Sequence, residues 1–145
     1  MSETLRPENE AQLLELMAWA AAEARPLEII GHGSKAALGQ PSSAATVLRM
    51  DAFSGVSLYE AEELVLTAGA GTPLAQVEAL LDEHNQELAF EPPNLCRLLG
   101  RDLEDGFGTL GGLVASNLAG PRRIKAGAVR DHFLGFRAVS GRGEA

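Results

Sequence analysis

A single cysteine, Cys96, stands in the 145 residues, which excludes an internal disulfide and any cysteine-based metal site and fits a reducing cytosol. No metal is expected. Long apolar runs are also missing. The most apolar stretch, Leu16 to Ala22, is closed off by Glu15 and Glu23, far short of the roughly 20 residues that span a bilayer. Met1-Ser2-Glu3-Thr4-Leu5-Arg6 has neither the basic start nor the apolar segment of a secretory signal. A cytoplasmic chain is expected, reaching a membrane surface only through partners. Positive charge is scarce as well: the net charge is −8, which argues against a general nucleic-acid binder. The deficit is uneven. Residues 121–145 hold Arg122, Arg123, Lys125, Arg130, Arg137 and Arg142 against Asp131 and Glu144, a local +4 that leaves −12 on the first 120 residues. A basic end on an acidic body is expected to face an anionic ligand or an acidic partner, or to be a solvated face.

What is present is a globular composition, 46% hydrophobic and 22% charged, of a length for one compact unit. Leu13, Leu16, Met17 and Ala20 recur at helical spacing and predict a helix over Pro7–Ala24, stopped by Pro26. Leu27–Ile30, Thr46–Met50, Val56–Tyr59, Leu64–Ala68 and Glu87–Phe90 read as strands, the middle three forming a small antiparallel or mixed sheet. Thr72 is expected to cap a helix with Pro73 at its first position, Leu74, Val77, Leu80 and Leu81 on its apolar face, and Asn85 as a left-handed cap. Pro92-Pro93 imposes an extended loop, and residues 94–108 read as loop with one helical turn around Leu95–Leu99. Leu134–Val139 is predicted to be a last strand, followed by a hairpin turn at Ser140–Gly143 with no return strand, hence an unpaired edge and marginal stability.

Glycine is concentrated in two places. Gly31-His32-Gly33-Ser34-Lys35 follows a strand, and Thr109-Leu110-Gly111-Gly112 opens a second segment that runs to Gly120. Nine of the sixteen glycines fall in the last forty residues. Without a Cβ, backbone amides can close around phosphate oxygens, so the two segments are expected to wrap one anionic cofactor, a dinucleotide pyrophosphate, from opposite sides. The first turn does not open directly into a helix, and a Rossmann fingerprint is therefore rejected. An isolated G-x-G-S would read as an ordinary hairpin loop. The second segment makes cofactor contact the better reading.

The order of Gly31–Lys35, Tyr59–Leu64, Ala68–Gly71, Phe90-Glu91-Pro92-Pro93, Thr109–Gly112, Asn117–Arg123 and Gly127–Asp131 resembles the FAD-binding (PCMH-type) domain of the vanillyl-alcohol-oxidase family. Within it the likeness is strongest to the E-type flavin subunits of bacterial glycolate oxidase. The resemblance implies an α+β fold of two α+β subdomains with FAD between them. Carried over by position, Gly31, His32, Gly33, Ser34, Lys35 and Gly39 form the phosphate turn. Pro93, Thr109, Gly111, Gly112, Ser116, Asn117 and Gly120 line the second wall, and Gly127 and Asp131 approach the ribityl or flavin region.

The resemblance further implies an oxidase complex that turns glycolate, a small 2-hydroxyacid, into glyoxylate, with a homologous flavin subunit and an iron–sulfur subunit as partners. Family members continue into the rest of the flavin domain and a cap domain that carries substrate-binding and catalytic residues. Residues 1–145 are therefore expected to be an incomplete flavin domain without an assignable catalytic base. Three other readings stay open: a non-catalytic flavin-binding or assembly module, an FAD-linked oxidase of the D-lactate dehydrogenase type, and a flavin reductase of cell-wall precursor synthesis. Covalent attachment through His32 stays open too, beside the plainer reading of a polar contact. Cys96 reads as a small buried apolar residue.

Overall fold

A computed structural model describes residues 3–98 and 108–145. Helix α1 (Glu10–Ala22) starts where Asn9, in extended conformation, accepts the Gln12 amide at 3.0 Å while the Gln12 side chain accepts the Glu8 amide at 2.8 Å. This reciprocal cap satisfies amides that the helix itself leaves free, so the helix begins after Pro7 rather than at it. It ends before Ala24, which is left-handed at φ +50°. Leu13 and Ala20 are buried, Leu16 and Met17 partly so, and Glu15 and Glu23 face solvent, as the spacing predicts.

Strands β1 (Glu3–Leu5), β2 (Leu27–Ile30) and β3 (Thr46–Arg49) form a parallel sheet with β3 in the middle, Thr46 opposite both Glu3 and Leu27. Helix α1 carries the chain back to the end where it started, which is what a parallel pair requires. Asp51, just past β3, accepts Arg6 Nε at 3.2 Å and Arg49 Nε at 3.3 Å. Burial raises the Asp51 pKa, but the two arginine hydrogen bonds and the Arg49 charge outweigh it and hold the carboxyl below its usual value.

Strands β4 (Val56–Glu60) and β5 (Val65–Ala68) form a separate antiparallel hairpin whose turn places Leu64 at φ +57°. The expected single small sheet is thus two. The turn after β3, closed by the Phe53 amide on the Met50 carbonyl at 3.1 Å, takes the chain out of the first sheet before pairing resumes.

Helix α2 (Leu74–Asp82) buries Leu74, Val77 and Leu81, and Asn85 follows in the left-handed region at φ +54°. Thr72 does not cap it. Its buried hydroxyl instead accepts the Gly55 amide at 2.9 Å and donates to the Gly55 carbonyl at 3.2 Å, and Pro73 occupies the cap position. Glu87–Phe90 is not a strand. Leu88–Glu91 is a turn, Glu91 sitting at φ +50°, that delivers Phe90 to the core while Arg122 pairs with Glu87 and Glu91. Helix α3 (Leu95–Leu98) is the expected helical turn; Leu99, with the loop up to residue 107, lies outside the described residues.

Helices α4 (Leu110–Ser116) and α5 (Arg123–Ala126) and a 3-10 turn at Val129–Asp131 complete the fold. Leu74, Phe90, Leu113 and Val129 make its buried cluster, with Leu88, Leu110, Val114 and Ala119 packed around it.

No strand forms over Leu134–Val139. Arg137 reaches Glu10 at 2.7 Å, and the predicted turn closes with the Gly143 amide 3.0 Å from the Ser140 carbonyl. Gly143 lies so close to α1 that a Cβ on it would stand 3.1 Å from the Ala18 nitrogen. The segment therefore leans on the helix instead of forming an unpaired sheet edge, and Leu134 and Phe136 stay 82% and 80% exposed.

Leu113 is 2% exposed. Leu113→Ala is expected to cost about 2–5 kcal/mol, read as a lower midpoint in urea unfolding. Because the Asp51 pKa is depressed by folding, its contribution is present near neutral pH and is lost as pH falls through the folded-state value. Asp51→Asn should consequently lower the melting temperature at pH 7, with the difference from the parent vanishing in acid.

Candidate functional site

The chain leaves β2 directly into Gly31–Lys35. Gly33 has φ +71°, a conformation that favours glycine, and among the described residues no atom beyond its chain neighbours lies within 4 Å of where its Cβ would be. Ser34 is buried at 4% exposure, and the Ala36 amide bonds back to the Gly33 carbonyl at 3.1 Å. His32 Nδ1 is buried without a hydrogen-bond partner, an arrangement that costs free energy unless something polar reaches it.

The second glycine segment is the start of a helix. Thr109 caps α4, its hydroxyl accepting the Gly112 amide at 3.3 Å, and Asn117 ends the helix at φ +48°. The signals were in the sequence: a threonine at the cap, Leu110, Leu113 and Val114 at helical spacing, and an asparagine suited to a left-handed end. Three backbone bonds fix this start against the turn before α2: Leu74 to the Gly108 carbonyl at 3.0 Å, Leu110 to Thr72 at 2.9 Å and Gly111 to Ala70 at 2.7 Å.

The two glycine segments meet. A Cβ on Gly31 would stand 2.8 Å from Thr109 Cγ2, and one on Gly108, which has φ +93°, would stand 3.1 Å from Ser34 Cβ. Lys35 Nζ lies 3.6 Å from where a Gly112 Cβ would be. Gly31, Ser34, Lys35, Thr109 and Gly112 therefore share one wall junction. Gly108 is a junction residue that sequence reasoning passed over; its place immediately before a threonine cap was the available signal. Burial lowers the Lys35 pKa, and the neighbouring Cys96 acts more weakly in the opposite direction. Cys96 is itself buried at 3% exposure, in line with its reading as a small apolar residue.

Most of the remaining predicted positions face other parts of the chain. A Cβ on Gly111 would meet Ala70 Cβ at 2.8 Å, and one on Gly120 would meet Glu91 Cβ at 2.7 Å. Ser116 Oγ donates to the Gly112 carbonyl at 2.8 Å within α4, and Asn117 Oδ1 accepts the Arg130 amide at 3.1 Å. Gly127, at φ +82°, faces Asp131, whose Oδ2 accepts the Ala128 amide at 2.7 Å. Pro93 is half-buried in its loop, and Gly39 is exposed at φ +80° with open space beside it. The basic end is partly neutralised: Arg122 pairs with Glu87 and Glu91, Arg137 with Glu10 at 2.7 Å and Arg130 with Asp131 at 3.7 Å.

A family model described as an FAD binding domain matches residues 2–145. The chain belongs to this family, and its cofactor is FAD. It is 42% identical over 132 residues to the glycolate oxidase subunit GlcE of Escherichia coli K12, covering 91% of this chain and 35% of that protein. It is 26% identical over 136 residues to a D-lactate dehydrogenase of Archaeoglobus fulgidus, covering 93% of this chain and 28% of that one. The chain thus spans about a third of the length of these relatives.

Among solved structures, an alkyldihydroxyacetonephosphate synthase superposes with a TM-score of 0.68 at 18% identity, covering 95% of this chain and 24% of that one. The cholesterol oxidase of Brevibacterium sterolicum superposes with a TM-score of 0.54 at 19% identity, covering 81% and 21%. These likenesses show the α+β flavin-domain fold. Among the described residues no helix is long and apolar enough to cross a membrane.

Among the described residues the junction brings together a left-handed glycine, a buried imidazole nitrogen with no hydrogen-bond partner and a half-buried lysine. The glycines of the domain separate by test. Gly111→Val should drive a branched side chain into Ala70 and cost about 1–3 kcal/mol by overpacking. Gly33→Val should carry a local backbone strain of about 1–2 kcal/mol and leave the helix content intact. Urea unfolding and far-ultraviolet circular dichroism of the two variants check this.

Proposed function

We propose that this chain supplies the FAD-binding wall of a glycolate oxidase subunit, with the pyrophosphate held at Gly31–Lys35 and faced by Thr109 and Gly112. The observation that carries the reading is the closure of the two glycine segments on each other around Lys35, in a chain 42% identical to GlcE. Gly39 and Pro93 extend the two walls. Gly111, Ser116, Asn117, Gly120, Gly127 and Asp131 shape the second wall from behind, through the contacts given above.

When bound, FAD supplies the two-electron oxidation chemistry that converts a 2-hydroxyacid such as glycolate to its 2-oxoacid. This chain's own residues bind and orient. Gly33 keeps the turn low enough for a diphosphate to approach, the His32 imidazole offers Nδ1 as a polar contact, and Lys35 brings a positive charge to a wall that has no other free cation among the described residues of the junction. Thr109 and Gly31 hold the walls at a fixed separation. No described residue is assigned as a substrate base. In the complete complex a homologous flavin subunit and an iron–sulfur subunit receive the electrons, and cytoplasmic location with peripheral attachment at the inner membrane comes through those partners.

Titrating the full chain with FAD and following flavin fluorescence tests the reading. Saturable quenching is expected for the parent chain, and Gly33→Val should weaken binding at least about tenfold, or 1.4 kcal/mol. No quenching would favour an assembly module that does not hold flavin. In a reconstituted complex, turnover of D-lactate without glycolate would instead move the assignment to the D-lactate dehydrogenase type.

A further inference from the structure

Lys35 is buried more than a surface ammonium needs to be. Its Nζ lies 3.6 Å and 3.9 Å from where Cβ atoms on Gly112 and Gly108 would stand. Ion pairs among the described residues involve Arg6, Arg25, Arg49, Arg122, Arg130 and Arg137, and not Lys35. From α3 the Cys96 thiol acts on it, and burial is the larger influence. The turn itself and the start of α4 present Ser34, Thr109, Gly108 and Gly112, none of which titrates near neutral pH, and His32 is the other ionisable side chain of the turn.

We infer that FAD capture is coupled to protonation of Lys35, so that the diphosphate is held tightly by the ammonium form and released as that form is lost at alkaline pH. This rests on the flavin-binding reading. A half-buried cation that has no ion pair among the described residues is disfavoured, and a diphosphate brought beside it restores the charged form. The Lys35 pKa then lies below the ordinary lysine value in the free protein and rises on binding. Between the two values binding takes up a proton, and affinity falls with rising pH by up to about tenfold per pH unit.

The sequence makes the lysine directly observable, because Lys35 and Lys125 are the only lysines in the chain. Reductive methylation with labelled formaldehyde gives two side-chain resonances. Lys35 should titrate at lower pH than the exposed Lys125, and FAD should move its midpoint upward while leaving Lys125 unchanged. In parallel, the FAD dissociation constant is measured from pH 7 to pH 11 for the parent chain and for Lys35→Arg, Lys35→Met and His32→Asn.

The parent chain and His32→Asn should show the alkaline loss. Lys35→Arg, whose guanidinium keeps its proton, should bind with a flat profile, and Lys35→Met should bind weakly at every pH. FAD bound with a pH-independent constant, a slope that survives in Lys35→Arg, or a slope that disappears in His32→Asn would each overturn the inference while leaving the flavin reading intact. Absence of FAD binding by the parent chain at any pH would overturn both.

Discussion

Thr109 can press against Gly31 only because position 31 carries no side chain; a Cβ there would be 2.8 Å from Thr109 Cγ2. Thr109 also caps α4 and is bridged to Pro73, while the neighbouring amides of Leu110 and Gly111 bond to Thr72 and Ala70. One close approach therefore locates three segments at once: the turn after β2, the turn before α2 and the start of α4. The buried cluster follows from it. Leu74 opens α2 just after the bridge, Leu113 sits one turn into α4, and Phe90 and Val129 fill the space between them. A short helix such as α4 has little stability of its own, so its position depends on these contacts rather than on propensity.

Elements set by local signals were legible in the sequence. The apolar spacing of α1, the β-branched runs of β2 to β5 and the left-handed Asn85 all appear where the pattern puts them. Elements set by distant partners were not. Glu87–Phe90 alternates like a strand, but it turns because Phe90 is drawn into the core and Arg122, far along the chain, pairs with Glu87 and Glu91. Leu134–Val139 has strand composition and no strand beside it to pair with; its Arg137 is held by Glu10 of α1 instead. Thr72 looks like a helix cap in one dimension, yet the hairpin brings Gly55 within reach of its hydroxyl first.

The site was legible in type and less so in direction. The two glycine segments stood out in the composition, and they lie against each other in the fold. Which way each missing side chain faces could not be read there, since a glycine next to a ligand and a glycine under a packed neighbour look alike in a sequence. Among the described residues no atom beyond its chain neighbours lies within 4 Å of a Cβ on Gly33, whereas Gly111, Gly120 and Gly127 face Ala70, Glu91 and Asp131. A glycine of the second kind admits another part of the chain. That close packing on Ala70 and Glu91 holds the segment that carries Gly112.

A chain of net charge −8 is a poor host for a diphosphate only if distance is ignored. Surface carboxylates more than about 8 Å away are largely screened at physiological ionic strength. The basic excess of the last quarter does not remedy the deficit either, since Arg122, Arg130 and Arg137 stand beside carboxylates of their own. What a bound anion would feel is the local arrangement: backbone dipoles of a glycine turn and the Lys35 ammonium, at contact and partly removed from water. In that setting the effective dielectric falls and one charge outweighs many distant ones. An acidic body is therefore compatible with an anion held locally at the junction.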